Sequence, residues 1–314
     1  MDHRPFIFDM ETGDPDDFLT LALLCGHPRV NLIAVTVTPG TPHQVGVVRR
    51  CLEMFKMDIP VGAFDIGHRK NKGMPDERYV KCVSSWHYKT FGDIPPSEDA
   101  EEGWKVLYRL LRDDTTLVTG GPLKNLGALL ANWEEEDKRL GVVTRLVKPR
   151  FGRLFAQGGF AGTGVVPPEH ELPQFQGRVT CPTYNLNGDP KSAEAVIACP
   201  HFSDKRFVSK NVCHDVVYDE VINHRLNQVK FGHLGLQILH RTMGVYPKRQ
   251  SQGKKLHDLL AACCAIEPDI GTWAEVELYR DRGQWGSRLK EGTGVHIITG
   301  YDKDRFLDVL TETL

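Results

Sequence analysis

Five acids, Asp9, Glu11, Asp14, Asp16 and Asp17, crowd the segment Asp9-Met10-Glu11-Thr12-Gly13-Asp14-Pro15-Asp16-Asp17. Carboxylates this dense repel one another unless some are protonated or a hard cation lies between them. Oxygen donors of this kind suit Ca²⁺ or Mg²⁺. The plainer alternative is a solvated acidic turn in which an Asp caps a helix. Position along the chain favours the cation. The apolar run Pro5-Phe6-Ile7-Phe8 before the acids reads as a buried strand, and Phe18 to Leu24 after them reads as a helix. The acids then occupy the turn at the carboxyl end of a strand, the edge where open α/β sheets bind ligands.

Three further segments have the character of element ends aimed at a ligand. In Val118-Thr119-Gly120-Gly121-Pro122-Leu123-Lys124-Asn125 the glycines let backbone approach a ligand or lend a carbonyl to a metal, although strand-to-helix turns use glycine anyway. In Tyr184-Asn185-Leu186-Asn187-Gly188-Asp189-Pro190 the Asp-Pro pair reads as a helix start, so Asp189 is read as a cap and not a catalyst. Lys255-Leu256-His257-Asp258 opens an otherwise apolar helix. Such a His-Asp pair resists burial unless paired or ligated. The alternative there is an ordinary capping Asp beside a surface His.

Taken in order, the four segments resemble the nucleoside hydrolase family of the inosine-uridine-preferring type, from Phe6 to about Ala265. The family's Asp-x-Asp-Pro-Gly-x-Asp-Asp signature is matched by Asp9, Glu11, Gly13, Asp16 and Asp17, with one additional residue before the final pair. Gly121 to Asn125 looks like its Gly-Pro-Leu-Thr-Asn. Tyr184-Asn185 with Asp189-Pro190 resembles its Glu-Phe-Asn and Asp-Pro elements, and His257-Asp258 matches its C-terminal His-Asp. The resemblance implies a single Rossmann-like domain with Ca²⁺ at the bottom of its pocket. It makes Glu11, Asp17 and Asp258 carboxylate ligands and gives Gly120 a ligating carbonyl. Asp16 and Asn185 would hold the ribose hydroxyls, and His257 would stand beside the leaving base as a general acid.

The chain also departs from that pattern. Glu11 stands where the family's general base is an Asp, so the base is Glu11, with Asp9 as the alternative. Thr183 replaces a Glu, Gly40-Thr41 replaces Gly-Asn, and Gln157-Gly158-Gly159 replaces Met-Gly-Gly. The family's pocket Asn has no counterpart in residues 160–182. The metal end therefore matches more closely than the end that recognises the sugar's 5′ side. Thr41, Gln157 and Thr183 remain substrate-binding candidates, joined by His87 of Trp86-His87-Tyr88, which could stack on an unusual base. Weak turnover of inosine, uridine and adenosine is expected, with faster turnover of a modified nucleoside or a ribosyl compound with a good leaving group.

Cleavage of an N-ribosidic bond passes through an oxocarbenium-like sugar. It needs an activated water, negative charge near the sugar and an exit for the base. Two other classes use parts of the same pattern. Phe8-Asp9-Met10-Glu11-Thr12 approaches the Asp-x-Asp-x-Thr of haloacid-dehalogenase-like, Mg²⁺-dependent phosphatases, with Thr119 as the strand-end Thr. That reading leaves His257-Asp258 without work. A non-catalytic ribose- or nucleoside-binding protein of the same fold is the other class.

The elements that must position these residues alternate in type. Strands are read at Val30–Val37, 59–63 and Thr116–Thr119, and helices at 45–55, 102–111 and 125–133. This is the grammar of an α/β protein: a Rossmann-like open domain with a mainly parallel sheet and helices on both faces. Residues 1–314 are read as one domain, with lid or insert loops at 65–101 and 157–182. Residues 273–314 read as a closing strand and helix. The net charge of -2 and the 25% of charged residues carry no nucleic-acid or membrane footprint. The eight cysteines form no CxxC pair and the start of the chain has no signal-like apolar region, so a reduced, cytoplasmic protein is expected. The expected partner is a small-molecule nucleoside or ribosyl substrate, within a homo-oligomer (dimer or tetramer).

Overall fold

The computed structural model describes residues 4–65, 82–141, 150–246 and 253–313. The first strand, β1 (Arg4–Met10), lies in the middle of the sheet. Its apolar run is continuous because both faces are covered: Phe6, Phe8 and Met10 enter one hydrophobic cluster and Ile7 the other. The other strands are β2 (Val30–Val37), β3 (Val61–Ala63), β4 (Glu101–Glu102), β5 (Thr116–Thr119), β6 (Phe151–Gln157), β7 (Thr180–Cys181), β8 (Phe202–Val208), β9 (Gly271–Asp281), β10 (Gln284–Leu289) and β11 (Val295–Tyr301). Among the described residues they form one sheet in the order β4-β3-β2-β1-β5-β6-β8-β11-β9-β10-β7. Pairing is parallel from β4 to β11 and antiparallel from β11 to β7.

The chain runs outward from β1 through β2, β3 and β4, then returns to place β5 on the other side of β1. The strand order therefore reverses between β1 and β5, and a crevice opens at their carboxyl ends. Asp9 sits in register with Thr36 on one side and Thr119 on the other. Glu11 and Gly120 follow immediately beyond these strand ends.

Two sequence expectations change in detail. The helix after the acids starts at Pro15, not Phe18, so Asp16 and Asp17 lie in its first turn and are buried. Pro is suited to that first position because the amide it lacks would be unpaired anyway. Asp14 makes no side-chain capping bond there, which removes the solvated-cap alternative for this segment. The tail holds three strands and a helix (Lys303–Leu310) where one strand and one helix were expected. Arg282 and Gly283, both at positive φ, turn β9 into β10. That is the conformation a two-residue hairpin demands.

The segment 157–182 carries β7, paired with β10, and packs Phe160, Phe175 and Cys181 into a small buried cluster. Of 65–101, residues 66–81 lie outside the described residues; the helix Ser85–Phe91 packs beside the first helix, with Phe91 4.7 Å from Phe18 ring to ring. No helix among the described residues is long and apolar enough to cross a membrane. All eight cysteines are free.

His27 ties the end of the first helix to the last one. Its Nε2–H donates to the Val309 carbonyl (3.1 Å), and its Nδ1 accepts from the Arg29 amide (3.2 Å). Only a neutral ring does both. Burial, assisted by the Arg29 charge, pushes its pKa down to about 4. Because the unfolded value is about 6.5, the neutral ring's contribution is complete above that pH and is lost as pH falls towards 4. Between pH 7 and 5 this should cost about 2 kcal/mol. Urea denaturation of His27→Gln should show a pH 7-to-5 loss smaller by that amount; an unchanged loss would refute the assignment.

Candidate active site

Four elements meet at the crevice. Glu11 leaves β1, and its amide donates to Asp17 Oδ1 at 3.0 Å. Asp16 and Asp17 follow in the first turn of Pro15–Gly26. Gly120 follows β5, with its amide on the Asp9 carbonyl at 2.8 Å. Asp258 sits in the first turn of the helix His257–Ile266, 241 positions from Asp17 along the chain. Oxygens of Asp16, Asp17 and Asp258 lie within 4.8 Å of one another, all buried. Two helix N-termini face these acids, which lowers the cost of gathering them.

Space and charge at this cluster both fit a hard cation. A Cβ on Gly120 would come within 2.8 Å of the Asp258 carboxylate and 3.0 Å of Asp17 Oδ1. Only glycine lets the strand end approach so closely. The buried Lys254 pairs with Asp14 and reaches Asp16 Oδ1 at 3.4 Å. Among the described residues no cation pairs directly with Asp17 or Asp258. Burial, then the charges of Asp258 and Glu11, holds the Asp17 carboxyl well above the usual range. Burial, then Asp16 and Glu11, does the same to Asp258. Glu11 is pushed up to about 7 by burial and by Asp16 and Asp14. A divalent ion among these buried like charges would offset the repulsion that Lys254 leaves.

The rest of the crevice is polar. Asn185, on the short helix Tyr184–Gly188, donates from Nδ2 to the Gly120 carbonyl (2.8 Å) and to Gln157 Oε1 (2.7 Å). The His257 amide donates to Asp16 Oδ2 at 3.1 Å, so Asp16 is fixed by both Lys254 and the opposite helix. The His257 ring lies 3.2 Å from Cys213 Sγ, and burial plus the Lys254 charge lowers its pKa to about 4. A cavity of about 580 Å³ is lined by Glu11, Asp16, Asp17, Gly120, Gln157, Asn185, His257 and Asp258, all named from sequence. Asp14, the rim residue Tyr184 and Tyr246 line it too, without having been assigned roles there. Lys254 was likewise missed, although it stands three residues before His257. Tyr246 had no sequence signal at all.

Not every candidate reaches this cavity. Asp9 lies buried within the sheet, where its Oδ1 accepts from Thr36 (2.6 Å) and Asn125 (2.8 Å) and burial raises it to about 6. Thr41 caps the helix Pro42–Met54 in a reciprocal bond with Gln44. His87 is buried, stacked 3.5 Å from Trp86 and facing Phe18 at 6.0 Å. Thr183 lines a neighbouring cavity of about 780 Å³ that shares Glu11 and Tyr184 with the first. Asp189 is a cap, accepting from the Ser192 amide at 3.2 Å.

Fold and site together define a class: an open α/β protein whose strand-order reversal carries an acidic crevice suited to a hard cation and a small polar ligand. The family model described as inosine-uridine preferring nucleoside hydrolase matches residues 6–308, and the chain belongs to that family. It is a metal-dependent hydrolase family acting on N-ribosyl bonds of small-molecule nucleosides, and this chain is an enzyme of that kind. An uncharacterized protein of Aquifex aeolicus (strain VF5) is 26% identical over 292 residues, covering 90% of this chain and 89% of that protein. The pyrimidine-specific ribonucleoside hydrolase RihA of Shewanella baltica (strain OS185) is 23% identical over 346 residues, covering 99% and 96%. The same fold occurs in the inosine-uridine preferring nucleoside hydrolase of Bacillus anthracis (TM-score 0.66, 19% identity, 98% of both chains). It also occurs in an inosine-guanosine nucleoside hydrolase (TM-score 0.68, 17% identity, 99% of both chains).

Proposed function

We propose that this enzyme hydrolyses the N-glycosidic bond of a ribosyl compound in a Ca²⁺-dependent reaction, releasing the sugar and the free base. The carrying observation is the buried Asp16–Asp17–Asp258 cluster at the β1/β5 reversal, with Asn185 beside it. Asp17 and Asp258 would hold the cation with Glu11 and the Gly120 carbonyl. Asp16 stands close enough to share that task or to take a sugar hydroxyl. Such a cation supplies Lewis acidity that eases deprotonation of water.

The chain's own residues do the remaining work. Glu11, the acid at the mouth of β1, takes the water's proton. Asp16 and Asn185 hold two ribose hydroxyls and so orient the sugar for attack. The surrounding acids favour the positive charge that develops on the sugar. His257 faces the leaving base. With its pKa lowered to about 4 it is neutral at pH 7 and donates a hydrogen bond, not a proton. The general-acid role expected from sequence would then matter less, as it does for a base that carries its own charge well. The segment 157–182, whose first residue Gln157 lines the cavity, is proposed as an insert at the site, within one domain spanning 1–314.

Product analysis tests the reading. The purified chain, offered a panel of nucleosides with Ca²⁺, Mg²⁺ or chelator, should release reducing sugar only with a cation present. Free phosphate from sugar phosphates would indicate a phosphatase, and binding without product a non-catalytic pocket. The eight free thiols support cytoplasmic residence. A homo-oligomer (dimer or tetramer) belongs to the same proposal. Sedimentation velocity checks it.

A further inference from the structure

The second cavity differs in charge from the first. Lys124 and Lys210 line it, and Glu11, shared with the first cavity, is its single acid. Among the described residues neither lysine forms an ion pair. Lys210 donates to the Pro182 carbonyl at 2.9 Å and keeps two N–H groups free of that bond. Thr183 lines the same space, and its buried hydroxyl has no hydrogen-bond partner among the described residues. A buried hydroxyl without a partner is costly, so a ligand oxygen would have a place there.

Two departures from the family's pattern fall in this one cavity and act in the same direction. Thr183 stands for a Glu, and Lys124 stands for the Thr of Gly-Pro-Leu-Thr-Asn. One removes a negative charge and the other adds a positive one. The cavity shares Glu11 and Tyr184 with the first, and His257 lines the first alone. With the base towards His257, a ribose seated on Asp16 and Asn185 would leave the second cavity to the rest of the sugar, its 5′ carbon included.

We propose that the substrate carries a phosphate monoester on the sugar's 5′ oxygen, held by Lys124, Lys210 and the Thr183 hydroxyl. The substrate class is a nucleoside 5′-monophosphate or a related ribosyl 5-phosphate. Water adds to the anomeric carbon, the C–N bond breaks, and the base leaves with the bonding electrons and takes up a proton. The phosphate ester stays intact, and the sugar product is ribose 5-phosphate. The proposal rests on the reading of the first cavity as a ribosyl site.

The test compares kcat/KM for a nucleoside 5′-monophosphate and its parent nucleoside. The phosphate should be preferred by about 100-fold, since a charge-assisted hydrogen bond is worth about tenfold or more. Lys124→Thr and Lys210→Met should each shrink that ratio about tenfold, while Lys124→Arg, which keeps the charge and the fold, should retain most of it. Lys124→Thr combined with Thr183→Glu should favour the unphosphorylated nucleoside. A ratio near one in the wild type, with brisk nucleoside hydrolysis, would overturn this proposal and leave the hydrolase reading standing. Calorimetric binding of ribose 5-phosphate and ribose separates the opposite case. Tighter binding of the phosphate, lost in the lysine variants, supports the anion site even if no C–N bond is broken.

Discussion

Glu11→Gln is expected to lower kcat by about a thousandfold, within the 10²–10⁴ range that a positioned base contributes. The amide keeps the size and shape of the side chain but cannot accept the water's proton. Glu11 lines both cavities and follows directly from β1, whereas Asp9 is buried in the sheet against Thr36 and Asn125. Ribose affinity should change little, because the proposed holders of the sugar are Asp16 and Asn185. The loss would then fall on kcat and not on binding. Steady-state rates with a calorimetric ribose titration give the answer, and a near-normal rate would move the base to Asp9.

Asp258→Asn should abolish activity and reverse the stability order of variant and wild type between chelator and Ca²⁺. In chelator, the wild type keeps both carboxyls pushed up by burial, Asp17 further by the Asp258 charge and Asp258 further by the charges of Asp16 and Glu11. A carboxyl raised in the folded state contributes stability at low pH that is lost as pH rises through its folded value. Removing one of the pair relieves that loss, so the chelated variant should melt higher than the chelated wild type at pH 7. With Ca²⁺ at about a thousand times its dissociation constant the wild type gains about 4 kcal/mol and should overtake it. Differential scanning calorimetry with and without the cation measures both curves. A variant that still gains the full Ca²⁺ increment would remove Asp258 from the ligand set.

The parts of this site that could be read from sequence are those whose chemistry is local. Val30–Val37 and Thr116–Thr119 were legible as strands because they are apolar, β-branched and ended by glycine or proline. The acids, Gly120, Asn185 and His257-Asp258 were legible because each marks an element end. Thr41 was misplaced although Thr41 and Gln44 spell a capping box, a signal for a helix start and not a pocket. His87 was misplaced because an aromatic run in a polar stretch reads as exposed, whereas here Trp86 and His87 pack on the first helix. Lys254 and Tyr246 reach the cavity through tertiary packing, which no local pattern records. The β9–β10 hairpin was present as Asp281-Arg282-Gly283, but β9 alternates only weakly between apolar and polar residues.

On the proposed ligand set, the acidic cluster also sets when the enzyme can first work during its own synthesis. Asp16 and Asp17 emerge early, and Asp258 follows 241 residues after Asp17. At about 5–20 residues per second the interval is on the order of tens of seconds. Through that time the nascent chain carries the early acids without their partner and lacks the helix that closes the cation site. On the proposed mechanism hydrolysis would switch on only in chains translated at least through the helix His257–Ile266. Stalled or prematurely cut products should be inert towards nucleosides in the cell.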